Sequence, residues 1–386
     1  MKNRNQKGNP TLYRILAVVV SPFFHRIFRY RHDRYKLQGP TLVVANHVTN
    51  YDPILLGMAF PKDPMRFVAS EHLFRKGFVT KFLRYVFDPI PRRKGTSGAD
   101  TAMACMRKLR DGRSVCLFAE GECSWDGATA DIFAATGRLA RMGNATLITF
   151  RLEGGYLTAP RWGRGIRRGR MHGRIVGIYT PEDLKAMDKD AITGVIQRDI
   201  TENAWARQAE APVRYRHRRR AENLQTVLYG CPRCGKIGRL SSKGKYLSCH
   251  CGAKWEYTEF GTFSPAEPFE NMQQWDAWQK QLLHNALEDG SLRLQDSGMT
   301  MVDLLEDHQQ KLVAQGDLIL ENGVLSCGDQ HLPLTQIDDM ALVQGRTLLI
   351  SSGSRYCQIK SADPACLRKY LAAWKHAVQA QTPATP

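Results

Sequence analysis

Residues 41–57 read TLVVANHVTNYDPILLG, and this stretch decides the fold class. Positions 41–45 form a short apolar run of the kind a buried strand needs, and positions 52–59 carry helical spacing. The pattern recurs at 114–119 (SVCLFA) and 146–152 (TLITFRL), each preceded by an amphipathic stretch, over 100–110 and 131–142. Strands and helices alternating at this length predict an α/β domain with a largely parallel sheet and flanking helices. His47 then falls where the first strand ends and Asp52 where the next helix begins, the edge at which open α/β sheets bind ligands.

The 386 residues suffice for two or three domains with a core in at least one. A content of 43% hydrophobic and 24% charged residues excludes disorder throughout. No apolar run reaches the roughly eighteen residues of a spanning helix, which excludes a polytopic membrane protein. Fifty-five basic against 37 acidic side chains give +18 and imply an anionic partner: phosphate groups, a lipid surface or nucleic acid. The charge is uneven, +25 over residues 1–250 and −7 over 251–386, so a boundary is expected near 250.

Residues 15–24 (ILAVVVSPFF) are apolar and flanked by Arg14, Arg26, Arg29, Arg31 and Arg34. The run is short for a signal peptide, Pro22 interrupts it, and the arginine-rich segment that follows would hinder export. The reading taken is an amphipathic membrane-associating segment over 1–36, apolar residues at the lipid boundary and arginines on anionic head groups; a helix packed on its own domain is the alternative.

An imidazole at a strand end can take a proton from a substrate hydroxyl while a carboxylate fixes its tautomer, which gives His47 and Asp52 roles as general base and orienter. The plainer reading has Asn50 or Asp52 capping the helix with His47 merely nearby. Residues 117–127 (LFAEGECSWDG) add a second buried strand ending in Glu120 and Gly121 at the same sheet edge. Two strand ends with convergent polar groups make a pocket.

With both segments in view, the chain resembles the glycerolipid acyltransferases, which include the enzymes that acylate lysophosphatidic acid. Asn46-His47-x4-Asp52-Pro53 is similar to the family's first block, and residues 118–124 (FAEGECS) to its third. Residues 90–95 (IPRRKG) are similar to the basic second block, and 147–151 (LITFR) stand where the apolar fourth block falls. The resemblance covers about residues 12–210 and implies an acyltransferase domain over 37–212. It implies acyl transfer from an acyl thioester, acyl-CoA or acyl-ACP, to the hydroxyl of 1-acyl-sn-glycerol 3-phosphate, giving phosphatidic acid. His47 would be the base and Asp52 its orienter. Asn46, Arg92, Arg93, Lys94, Glu120, Gly121, Ser124 and Arg151 would bind substrate, Glu120 through the glycerol part and Gly121 by close backbone approach, with Arg161 a further basic candidate. The implied partners are the lysophospholipid, the thioester donor, acyl carrier protein and a membrane surface, at the cytoplasmic face of the cell membrane as a peripheral or monotopic protein. Cys123 stands where the family usually has arginine, and a thiol does not bind phosphate as a guanidinium does. Nothing in the sequence pairs Cys123 with a base of its own, so covalent catalysis through it is not expected.

After a basic linker at 213–228 (RYRHRRR within it), Cys231-x2-Cys234-Gly and Cys249-x-Cys251-Gly fall inside 21 residues. Four thiols on two tight turns suit a structural zinc ribbon over 229–262, with all four positions filled by protein. The second knuckle is one residue short of the usual spacing, which brings His250 into consideration. Residues 263–386 hold a helix at 275–287, short strands at 316–320, 324–327, 347–351 and 356–360, and a final helix at 364–378. Together they resemble a pleckstrin-homology-like β domain serving packing or partner contact. Two other readings remain: a regulatory paralogue in which Cys123 has cost the acceptor site, and a basic zinc-ribbon protein binding nucleic acid. The second lacks the aromatic-interleaved basic surface of RNA-binding modules and leaves the strand-end His and Glu unexplained.

Overall fold

Residues 41–45 are the middle strand of a seven-stranded sheet in a computed structural model that describes residues 8–70, 77–92, 98–305, 309–343 and 345–381. The chain divides into two units, Met1–Arg161 with Gly165–His217, and Trp162–Arg164 with Arg218–Pro386. In the first, the elements run α1 (Pro10–Phe28), β1 (Tyr30–His32), β2 (Thr41–Ala45), α2 (Asp52–Gly57), β3 (Met65–Ser70), α3 (Gly77–Phe87), β4 (Ile90–Arg92), α4 (Ala99–Arg110) and β5 (Ser114–Phe118). They continue with α5 (Ala135–Met142), β6 (Thr146–Glu153), α6 (Gly155–Thr158), β7 (Met171–Tyr179), α7 (Pro181–Ala186), α8 (Lys189–Ile200) and α9 (Ala204–Glu210).

The strand order is β1-β7-β6-β2-β5-β3-β4, parallel throughout except for the β6–β7 pair. Val43 and Ala45 of β2 point into one apolar cluster, with Phe60, Phe118 and Phe150; Leu42 and Val44 point into the other, with Leu109, Leu147 and Ile192. A strand covered on both faces must be apolar at every position, which is why its signature is a run and not an alternation. Burying each such valine contributes about 1.5–3 kcal/mol. The stretch 182–209 is three helices: Asp188 and Asn203 each accept backbone N–H bonds at new N-caps and divide it.

The expected boundary at 36 is not a structural one. Phe24 and Phe28 of α1 lie in the core with Val43 and Phe150, and β1 pairs with β7, so residues 10–32 are built into the first unit. One face of α1 nevertheless stays open: Ile15, Val18, Val19 and Phe23 are all more than half exposed, and Arg14, Arg26, Arg29 and Arg31 are exposed around them. By length and composition this 19-residue helix is also apolar enough to cross a bilayer, a length the interrupted run at 15–24 had not implied.

In the second unit β8 (Leu240–Lys243), β9 (Tyr246–Cys249), β10 (Lys254–Tyr257) and β11 (Phe263–Ser264) form a small antiparallel sheet. After α10 (Met272–Glu288) come β12 (Arg293–Leu304), β13 (Gln310–Glu321), β14 (Val324–Cys327), β15 (Gln330–Pro333), β16 (Asp339–Val343), β17 (Thr347–Ser352) and β18 (Arg355–Ser361), one antiparallel sheet, and then α11 (Arg368–Gln381). Seven antiparallel strands followed by a helix match the outline expected for this region. The expected separation of ribbon and β domain at 263 is absent. Trp275 of α10 packs on Trp255 and Phe263, Gln279 bonds Tyr229 N, and Arg368 of α11 pairs with buried Asp276 of α10.

Candidate active site

The site is built where β2 and β5 end side by side. Asn46, one residue beyond β2, uses its amide as a strand would use a peptide: Nδ2 donates to Leu152 O (2.9 Å) and Oδ1 accepts from Leu152 N (2.7 Å). It is fully buried, so it fixes β2 against β6 and is not turned toward a substrate, contrary to the sequence expectation.

His47 follows, its ring stacked on Phe118 at 4.4 Å between centroids. Its Nδ1 lies 2.8 Å from Asp52 Oδ2. The same oxygen accepts from Val48 N (2.6 Å) and Thr49 N (2.9 Å), and Oδ1 accepts from Thr49 Oγ1 (2.6 Å). Asp52 therefore ties down the turn before α2 and orients the imidazole; the capping reading does not hold, since the N-cap of α2 is Tyr51 and has no side-chain cap bond. Because the carboxylate only accepts, Nδ1 carries a ring proton, and Nε2 is the nitrogen that can exchange a proton with the site.

Glu120 is turned inward and not toward an acceptor: Oε1 accepts from His47 N (2.6 Å) and Oε2 from Ala130 N (2.8 Å). Burial pushes its carboxyl up to about 7 against the pull of those two N–H groups. Ser124 is likewise engaged, donating to Ala128 O and accepting from Gly127 N, while its own N–H donates to His47 O at 2.8 Å. Gly121 sits at φ +73°, and a Cβ there would come within 2.6 Å of Phe133; the Arg92 guanidinium lies over that Phe133 ring at 4.7 Å. Arg151 is bound to Glu153 (3.1 Å) and reaches the Asp199 carbonyl, in a cluster with Arg207 and Glu202. Arg93 and Lys94 lie outside the described residues.

Two residues make contacts that the sequence did not indicate. Cys123, buried, places Sγ 3.3 Å from His47 Nε2 and 3.8 Å from Asn50 Oδ1. Arg161 donates to Cys123 O (3.0 Å), stacks on Trp125 at 3.5 Å and lies 3.5 Å from Glu122. The signal was available: Cys123 is three residues past Glu120, and a block sharing a pocket with His47 brings its neighbours with it. Burial lowers the affinity of the His47 ring for its proton, but the Cys123 sulfur and the Asp52 carboxylate outweigh it and push the pKa up to about 10.

Residues 26–153, which contain every one of these strand-end groups, match the family model described as Acyltransferase. The chain carries an acyltransferase domain. A solved structure similar to part of the chain is the 1-acyl-sn-glycerophosphate (LPA) acyltransferase, PlsC, from Thermotoga maritima, at 18% identity over 50% of this chain and 78% of that one, with a TM-score of 0.39. The acyltransferase-family segment ends at Glu153, so the cysteine cluster and the C-terminal sheet lie beyond it.

In the second unit the sulfurs of Cys231, Cys234, Cys249 and Cys251 all lie within 4.8 Å of one another, with Cys231–Cys251 and Cys234–Cys249 at 3.8 Å. That is close to the edge of a tetrahedron of sulfurs each about 2.3 Å from a central zinc. Gly235 (φ +68°) and Gly252 (φ +88°) make the knuckle turns, donating to Cys231 O and Cys249 O. The short second knuckle still delivers both sulfurs, and the ligand group does not include His250.

Proposed function

We propose that the chain is a membrane-surface O-acyltransferase that moves a fatty acyl group from acyl-CoA or acyl-ACP to the free hydroxyl of 1-acyl-sn-glycerol 3-phosphate, giving phosphatidic acid. The observation that carries this reading is the His47–Asp52 hydrogen bond at the carboxyl end of the central strand, inside the segment matched by the acyltransferase family. His47 Nε2 takes the acceptor proton, and Asp52 holds the ring and offsets the imidazolium charge. Arg92, beside Gly121 and Phe133 at the rim, is the described cation suited to the acceptor phosphate, with Arg93 and Lys94 next to it in sequence. The open apolar face of α1 with its surrounding arginines supports residence at an anionic lipid surface, on the cytoplasmic side. The four cysteines would hold zinc, whose contribution there is structural because no coordination position remains for a substrate.

The test is acyl transfer by the purified full chain in detergent or liposomes, with lysophosphatidic acid and each thioester donor in turn. Wild type should form phosphatidic acid, and His47→Ala should lower the rate by at least about a hundredfold, the scale of a lost general base. No product with either donor, or a His47→Ala enzyme within a few-fold of wild type, would overturn the reading.

A further inference from the structure

Among the described residues, one nucleophile stands in the site without a part in the scheme above. Cys123 Sγ lies 3.3 Å from Nε2 of His47, whose Nδ1 lies 2.8 Å from Asp52. Thiol, imidazole and carboxylate in that order are a nucleophile, its base and the orienter of the base. Both partners are fixed to one frame: Ser124 N donates to His47 O, and Arg161 holds Cys123 O. We propose that Cys123 is a covalent acyl carrier, so that transfer runs in two steps through a Cys123 thioester. The inference rests on the reading of the chain as an enzyme using acyl thioesters.

In the first step His47 Nε2 takes the thiol proton and Cys123 Sγ attacks the donor carbonyl carbon. The bond from that carbon to the donor sulfur breaks, and the departing thiolate takes the proton from His47. In the second, the acceptor hydroxyl gives its proton to Nε2 and its oxygen attacks the Cys123 thioester. The bond to Sγ breaks, and the sulfur recovers the proton. One thioester is exchanged for another and then for an ester, with no oxidant, reductant or further reactant.

The geometry explains why two steps suit this site. Nε2 has a single lone pair, and the thiol already faces it, so a hydroxyl cannot use it while Cys123 is free. Acylation takes the S–H away from Nε2 and leaves that nitrogen to the acceptor hydroxyl.

The experiment incubates the full chain with palmitoyl-CoA and no acceptor, quenches in acid, and reads intact and peptide masses. Expected is one palmitoyl group on Cys123, labile to neutral hydroxylamine and absent from Cys123→Ser and His47→Ala. On adding lysophosphatidic acid it should discharge at the turnover rate, and steady-state kinetics should be ping-pong. Cys123→Ser should lose on the order of a hundredfold in turnover. Turnover by wild type without an adduct, an adduct that does not discharge within the turnover time, or a Cys123→Ala enzyme as active as wild type would each overturn the carrier and leave the acyltransferase reading intact. An adduct on Cys123 with no product from lysophosphatidic acid would support the carrier and overturn that acceptor. Neither adduct nor product with either thioester donor would overturn both.

Discussion

Replacing Asn46 by alanine separates a structural from a substrate-binding role for the residue next to His47. The amide satisfies both the N–H and the C=O of Leu152, and neither group reaches water, since Asn46 and Leu152 are fully buried. An unpaired buried backbone group costs about 1–3 kcal/mol, so losing both partners should cost about 2–6 kcal/mol. For a unit of this size about 2–4 °C accompanies each kcal/mol, which puts the expected fall in its melting transition at about 4–24 °C. Asn46→Asp keeps the acceptor for Leu152 N but turns a carboxylate oxygen on Leu152 O. It should match alanine at neutral pH and recover in acid, when the protonated carboxyl donates again. Circular dichroism melts with acceptor KM measured well below the transition give the answer. An Asn46→Ala protein that melts like wild type and shows only a raised acceptor KM would refute the argument and make Asn46 a substrate ligand.

Glu120, with its carboxyl raised from 4.5 to about 7, makes the folded state hold more protons than the unfolded one across that interval. Stability from this group is therefore greatest below about pH 4.5 and falls by on the order of 3 kcal/mol as pH rises through 7. Glu120→Gln should flatten that part of a denaturant-midpoint series against pH, and an unchanged slope would count against the assignment. Gly121→Ala should lower stability by about 1–3 kcal/mol and displace Phe133, since it adds a Cβ at φ +73° within 2.6 Å of that ring; a crystal structure with Phe133 unmoved would contradict it. Zinc should be found at one ion per chain by elemental analysis, fall away in Cys231→Ser, and on chelation lower the melting transition of the second unit; a metal-free chain that melts unchanged would remove the metal from the account.

The parts of the fold that were legible are those in which burial forces a simple pattern. Residues 41–45 are covered on both sides and read as an apolar run, and 114–118 and 146–153, nearly as buried, read as largely apolar ones. The His47–Asp52 pair was legible because a strand end and a helix start five residues apart leave the two side chains few other places to meet. Strand β7 (MHGRIVGIY) went unread, because Gly173 and Gly177 leave two of its more buried positions without an apolar side chain and it lies at the antiparallel side of the sheet. Strand β12 shows the same weakness, with Asp296, Ser297 and Gly298 at a bulge. The site residues misread were those whose partners are distant in sequence. Nothing near Glu120 announces that the N–H groups of residues 47 and 130 converge on it, and nothing near Cys123 announces an imidazole 76 positions earlier.

Helix α1 is tied down at both ends. Asn9 N donates to Tyr85 O and Arg14 Nε to Lys62 O near its start; Arg29, at φ 47°, closes it directly into β1, which is paired in register with β7. A tethered anchor lets a domain swivel, whereas a helix clamped in this way transmits orientation. Whatever surface takes up Ile15, Val18, Val19 and Phe23 sets the tilt of the whole sheet, and with it the direction in which the sheet edge bearing His47 faces. Lengthening the connection between α1 and β1 would free that angle without touching a single group of the site.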